Sequence, residues 1–141
     1  MYNPNFSEGM TTSIKSGVKE VSRDCDGLLI CLADMPLINT SDINQLIHAY
    51  VKNRIKGKGL IVVPVFKRQR GNPVLFSIEF RNDILEHKKE SGCKEVIMKN
   101  SDSVMEIEMD NEKILLDVDT MEDYQSAVSY THLTLPTILL V

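Results

Sequence analysis

Gly27-Leu-Leu-Ile-Cys-Leu-Ala-Asp34-Met-Pro-Leu-Ile38 is the stretch that decides the fold. A continuous aliphatic run with Gly on one side and a Pro-containing turn on the other predicts a strand buried on both faces, as in a parallel sheet. The carboxylate at its exit needs a reason. In open α/β sheets ligands bind in the crevice beyond the carboxyl ends of the strands, and an acidic group there can hold Mg²⁺ against phosphate oxygens. Asp34 is therefore the first candidate metal ligand. A merely capping role is weaker, because Pro36 and the later cap at Thr40 already serve the turn.

Around this run the sequence alternates helical and extended patterns. Met10, Ile14, Val18 and Val21 recur at helical spacing and predict a helix from about Gly9. Thr40 or Ser41 can cap a second helix whose stripe is Ile43, Leu46, Ile47, Tyr50 and Val51, ending at Gly57 behind Lys52, Arg54 and Lys56. Leu60–Phe66 reads as a strand in which Pro64 belongs at an edge, a bulge or the strand end. Val74–Phe76 follows as a short strand, then a helix through Phe80, Ile84 and Leu85 that stops near Gly92, and a short helix at Val96 and Ile97. Met105, Ile107 and Met109 alternate with glutamates as a half-exposed strand, which Asp110–Glu112 turns back into a strand over Ile114–Asp119. Thr120 with Asp123 caps the last helix. The order predicts an α/β fold with a mostly parallel sheet and one antiparallel addition.

Composition narrows the function. The 141 residues, 43% hydrophobic and 26% charged, suffice for one core. A net charge of −4 lacks the basic excess of a nucleic-acid footprint, and no apolar run reaches membrane-spanning length. Cys25, Cys31 and Cys93 are odd in number, lack metal-ligand spacing and fit reduced thiols in a cytoplasmic protein, with Cys31 a small core residue. His48 is expected partly packed and His87 exposed, and neither Rossmann glycines nor a P-loop are present.

Three further constellations carry chemistry. Asp117 and Asp119, two apart on an extended strand, point to one face, so one of them can join Asp34 on a metal; for Asp117 capping or solvent exposure is the stronger reading. Arg68-Gln-Arg-Gly-Asn-Pro73 sets two guanidiniums beside open backbone amides, either a phosphate grip or a solvated basic hairpin. Asn3-Pro4 with Gly9-Met-Thr-Thr-Ser13 places small polar residues and amides at a helix start, where anions are favoured.

Four stretches together resemble the molybdenum cofactor cytidylyltransferases, a branch of the MobA-like NTP transferases. They are Asn3-Pro-Asn-Phe-Ser-Glu-Gly-Met-Thr-Thr-Ser13, Leu32-Ala-Asp-Met-Pro-Leu37, Arg70-Gly-Asn-Pro-Val-Leu-Phe76 and Leu116-Asp-Val-Asp-Thr-Met-Glu-Asp123, in the family's order. The resemblance implies a Rossmann-like, nucleotide-diphospho-sugar-transferase-type mostly parallel sheet flanked by helices. It implies an Mg²⁺-dependent enzyme that transfers CMP from CTP to a molybdopterin-type phosphate and releases pyrophosphate. Asp34 would be the principal metal ligand and Asp119 the second, Gly9 and Ser13 would lie near nucleotide or acceptor, and Gly71, Asn72 and Pro73 would shape the acceptor side. Asn72 stands where the branch usually carries His, and Met121 where Pro usually opens the last helix. GTP or a sugar-phosphate acceptor fits the same chemistry. The alternative class is a non-catalytic module that chaperones a cofactor to a molybdoenzyme.

The ends carry their own expectations. The family's glycine-rich nucleotide loop is expected upstream of Met1, which makes residues 1–127 a partial, N-terminally truncated nucleotidyltransferase domain with little activity alone. Residues 128–141, which include Val128-Ser-Tyr-Thr-His-Leu-Thr-Leu-Pro-Thr137, resemble translated adapter sequence from DNA library preparation and are expected to be an artefactual tail. Composition alone also allows a β-branched strand there.

Overall fold

The computed structural model describes residues 2–88, 90–118 and 121–131, the last with the side chains of 127 and 129–131 set aside. Among these residues five α-helices, α1 (Met10–Glu20), α2 (Thr40–Asn53), α3 (Arg81–Glu86), α4 (Lys94–Lys99) and α5 (Met121–Thr131), accompany five strands, β1 (Gly27–Ile30), β2 (Ile61–Phe66), β3 (Gln69–Arg70), β4 (Val74–Ser77) and β5 (Val104–Glu108). They form one mixed sheet. β4 lies between β1 and β2 and is antiparallel to both, β3 hairpins onto β2, and β5 pairs with β2 in parallel. β1, β2 and β5 thus run the same way, and the antiparallel strand is an interior member of the sheet. The α/β class with helices flanking parallel strands is as expected.

The period of two in β2 sorts its side chains onto two faces. Ile61 and Val63 join Val18, Leu28, Phe76, Ile84 and Val96 under α1, α3 and α4. Val62 faces the other way, with Leu46, Tyr50 and Leu75 beneath α2. A third group, Met35, Ile38, Met109 and Ile114, extends that second layer toward the carboxyl ends of β1 and β2.

Several expectations change. The run after Gly27 is not a long strand buried on both faces: β1 stops at Ile30, only Leu28 is fully buried, and β1 pairs with β4 alone among the described residues. The aliphatic residues beyond it serve a loop, in which Met35 and Ile38 are the buried anchors. α2 is capped by Asn39, whose side chain accepts from the Asp42 amide while Asp42 accepts from the Asn39 amide, both at 3.0 Å. This capping box wins over Thr40 and Ser41 because it satisfies two donors reciprocally. α2 ends at Asn53, and its stripe is narrower than read, with Ile47 and Val51 exposed.

Pro64 is fully buried in the middle of β2. On that edge the ladder is interrupted between Val62, opposite Leu75, and Val65, opposite Arg70, so the missing donor falls where no strand asks for one. The strand expected over Ile114–Asp119 does not form in its described part, residues 114–118, and Asp119 lies outside the described residues. Asn111 accepts from the Lys113 amide and starts a 3-10 turn at Glu112–Leu115, after which residues 116–118 run outside any ladder. His87 is buried, with Nδ1 2.6 Å from the Ile84 carbonyl, and His48 is exposed. Cys31 is half-buried, and burial pushes its thiol pKa up. Helical backbone continues in α5 through Thr131, past Ala127; residues 132–141, with Leu133 and Leu135, lie outside the described residues, as does the expected cap Thr120.

Candidate functional site

At the carboxyl end of β1 the chain enters the acidic loop. Met35 and Ile38 plug into the cluster with Met109 and Ile114, and the Met35 amide donates to the Leu32 carbonyl at 3.4 Å. Asp34 is thereby held between two fixed points. Its Oδ1 is buried and has no hydrogen-bond partner among the described residues, while its carbonyl accepts from the Val118 amide at 2.7 Å. A buried carboxylate oxygen without a donor is destabilising unless something cationic meets it.

The second wall is the turn after β3. Lys67 and Arg68 take left-handed φ values of 48° and 67° to close the β2–β3 hairpin, and Arg70 returns beside Glu106, with Nε 2.7 Å from Oε1. Gly71 has no room for a side chain, since a Cβ would lie 2.2 Å from the Ile114 carbonyl oxygen. Its amide donates to Pro64 at 2.9 Å, and the Asn72 amide donates to Ile114 at 3.0 Å. The expectation that these backbone amides face an anion is therefore corrected: both are consumed in fixing the turn. The side chains of Arg70 and Asn72 remain for recognition. Arg68 sits in the hairpin turn and does not share the cavity with Arg70.

Residues 112–118 connect the two walls. Ile114 offers its carbonyl to Asn72, and four residues later Val118 donates to Asp34. Lys113 adds an ion contact of 3.9 Å to the buried Asp42 of the α2 capping box. One short segment thus ties the acidic loop to the Gly71-Asn72 turn.

Between the sheet and helices α1 and α4 lies a cavity of about 440 Å³. Ile30, Val63, Val74 and Phe76 form its floor, Met10, Ile14 and Met98 its helical side, and Leu32, Arg70, Gly71, Asn72 and Asp117 its end toward the acidic loop. Ser91, Gly92, Cys93, Lys94 and Ile97 also line it. Burial pushes the Cys93 thiol pKa up to about 11, so it is a neutral group at ordinary pH.

The sequence candidates are partly assembled. Gly71, Asn72 and Asp117 share the cavity, and Asp34 follows its wall residue Leu32 by two positions. Pro73 is buried just behind the wall, after a cis peptide bond. Gly9 and Ser13 do not line it. Ser13 accepts from Asn3 at 3.1 Å, Gly9 holds φ 109° at the start of α1, and their neighbours Met10 and Ile14 are the residues that reach the cavity. Asp119 lies outside the described residues; the residue before it, Val118, is the one bound to Asp34. The 91–98 wall was missed by sequence reasoning. Its available signal was Gly92-Cys-Lys94, a glycine with φ 66° opening a helix beside a lysine.

Among the described residues no three His, Cys, Asp or Glu side chains converge as a ready metal cage, and no helix is long and apolar enough to cross a membrane. The donor set fits an ion that takes one or two carboxylates and completes its shell from substrate phosphates and water.

Comparison with known proteins gives the same direction. A molybdenum cofactor cytidylyltransferase of Escherichia coli strain K12 is 26% identical over 127 residues, covering 90% of this chain and 60% of the relative. The crystal structure of the Rv0371c homologue from Mycobacterium sp. strain JC1 superposes with a TM-score of 0.70 at 26% identity, over 89% of this chain and 60% of that one. Rv0371c of Mycobacterium tuberculosis H37Rv, in a structure described as a complex with manganese, gives a TM-score of 0.66 at 19% identity, over 83% of this chain and 59% of that one, a likeness of fold. This chain spans about 60% of the length of the curated relative it matches. The family described as the MobA-like NTP transferase domain matches residues 1–104, nearly three quarters of the sequence, and carries both the Asp34 loop and the Gly71-Asn72 turn. The chain belongs to the MobA-like NTP transferase domain family.

Proposed function

We propose that the protein transfers CMP from CTP to a phosphate of a molybdopterin-type acceptor, with Mg²⁺ as the working ion. An acceptor phosphate oxygen forms a bond to the α-phosphorus of CTP as the bond from that phosphorus to the β-phosphate oxygen breaks, and pyrophosphate leaves with the bonding electrons. The acceptor enters as the ionised phosphate, so no side chain has to remove a proton. A divalent ion at this site offsets the charge that grows on the departing pyrophosphate.

The residues supply position and charge. Asp34, and Asp119 beyond Val118, would hold the ion. Residues 112–118 keep that loop registered against the Gly71-Asn72 turn, so that the acceptor is presented to a fixed point. Asn72 offers one donor pair and one acceptor atom to the acceptor, where His in the cytidylyltransferase branch is more restricted. The observation that carries the reading is the buried, unpartnered Asp34 Oδ1 in a chain of this family.

The test is pyrophosphate release with CTP or GTP and a molybdopterin acceptor, in a protein extended at its N-terminus to the length of its curated relative, for wild type and Asp34→Asn. CTP turnover reduced by two orders of magnitude or more in the variant supports the proposal. Equal turnover in the variant removes Asp34 from the reaction, and preference for GTP overturns the base assignment.

A further inference from the structure

Lys113 is the last Lys or Arg of the sequence, and every other charged residue after Lys99 is Asp or Glu. Its Nζ lies 3.9 Å from Oδ2 of Asp42, whose side chain is 3% exposed against 27% for the lysine. The same Oδ2 accepts from the Asn39 amide at 3.0 Å, where the acidic loop passes into α2. The loop and residues 112–118 are therefore tied twice, in opposite order, with Asp34 joined to Val118 at one end and Asp42 to Lys113 at the other. Between the two ties Met35 and Ile38 pack with Ile114. The residue after Lys113, Ile114, is the one whose carbonyl receives the Asn72 amide.

We propose that Lys113 is a positioning residue: its charge, drawn to buried Asp42, holds residues 112–118 on the acidic loop and so fixes where Asp34 stands relative to the Gly71-Asn72 turn. The cause is the cost of a buried carboxylate. The N-terminus of α2 and one amide meet Asp42 from its own side, and Lys113 supplies the counter-charge from across the gap. Without that charge Asp42 gains by turning toward water, and the segment beside it has to yield. Methionine at 113 keeps an apolar stem and loses the charge, whereas arginine keeps both. Lys113 touches neither ion nor substrate in this role; it acts through Asp42 and Val118. The assignment deepens the reading of Asp34 as an ion ligand and rests on that reading only where ion affinity is measured.

Amide hydrogen exchange of the metal-free full chain, with Mn²⁺ titration followed by electron paramagnetic resonance, tests it in wild type, Lys113→Met and Lys113→Arg. In Lys113→Met the Val118 and Asn72 amides should exchange about tenfold faster, while the Ser77 amide, bonded to the Leu60 carbonyl at 2.9 Å, stays within about twofold. Mn²⁺ affinity should fall about fivefold in Lys113→Met and stay within about twofold in Lys113→Arg. In an Asp42→Asn background, which has no buried charge to answer, Lys113→Met should change exchange and affinity by less than about twofold. Unchanged Val118 exchange in Lys113→Met, equal acceleration of Ser77, or an undiminished effect in the Asp42→Asn background overturns the proposal. Should the methionine variant fail to fold, Lys113→Gln gives the same comparison. Faster Val118 exchange in Lys113→Met, in a protein whose Mn²⁺ affinity Asp34→Asn leaves untouched, sinks the ion reading and leaves the positioning role standing. Unchanged Val118 exchange with Mn²⁺ binding lost in Asp34→Asn does the reverse.

Discussion

The Val118 amide donates to the Asp34 carbonyl at 2.7 Å, although the two residues are more than eighty positions apart and neither lies in a strand. This bond fixes Val118, the residue before Asp119 in sequence, against the loop that carries Asp34. With the Asn72–Ile114 bond at 3.0 Å it makes residues 112–118 a strap across the end of the sheet.

Val118→Pro removes the donor and leaves the Asp34 carbonyl without it. A loss of about 1–2 kcal/mol is expected by urea denaturation, together with weaker Mn²⁺ binding. Unchanged ion affinity in a folded variant would show that the strap does not position the acidic loop.

Gly71→Ala forces a Cβ to within 2.2 Å of the Ile114 carbonyl unless the strap moves. The expected destabilisation is about 3 kcal/mol, at the upper end for overpacking a tight site, and acceptor binding should fall with it. A midpoint within a degree of wild type would mean that the turn and strap are not in contact.

Asn39→Ala deletes the cap of α2 and leaves Asp42, buried and facing Lys113, with its own amide unpaired. About 1–2 kcal/mol should be lost. Asn39→Asp should retain most of it, and equal loss in both variants would argue against the cap as the cause.

Cys93 gives a pH signature. Its folded pKa of about 11 lies above the ordinary 9.0, because burial disfavours the thiolate. The unfolded chain therefore releases this proton first, and the contribution, fully present below pH 9, is lost as pH rises toward 11. The loss across that window is about 2–3 kcal/mol, and denaturant midpoints in Cys93→Ala should fall less steeply there. Parallel curves would contradict this origin.

Much of this architecture is legible in the residues themselves. The 3.6-residue recurrence of Met10, Ile14 and Val18 gives α1, and the alternation of Met105 and Ile107 with Glu106 and Glu108 gives β5. Periodicity fails at Gly27–Ile38 because a buried loop anchor such as Met35 and a buried strand residue carry the same apolar signature. It fails again after Asn111, where a side-chain cap diverts an otherwise strand-like run into a 3-10 turn. At the site, Asp34 and the Gly71-Asn72 turn announce themselves by chemistry. Whether the turn's amides were open or consumed depended on Pro64 and Ile114, remote partners that spacing does not reveal.

The most direct measurement is a Mn²⁺ titration of the full chain followed by electron paramagnetic resonance, for wild type and Asp34→Asn, alongside their denaturation midpoints in metal-free buffer. Removing the charge from an unpartnered buried oxygen should leave metal-free stability equal to wild type or about 1 kcal/mol higher. Ion affinity should fall at least tenfold in the same variant. Mn²⁺ binding that is identical in the two proteins would contradict the assignment of Asp34 to the ion.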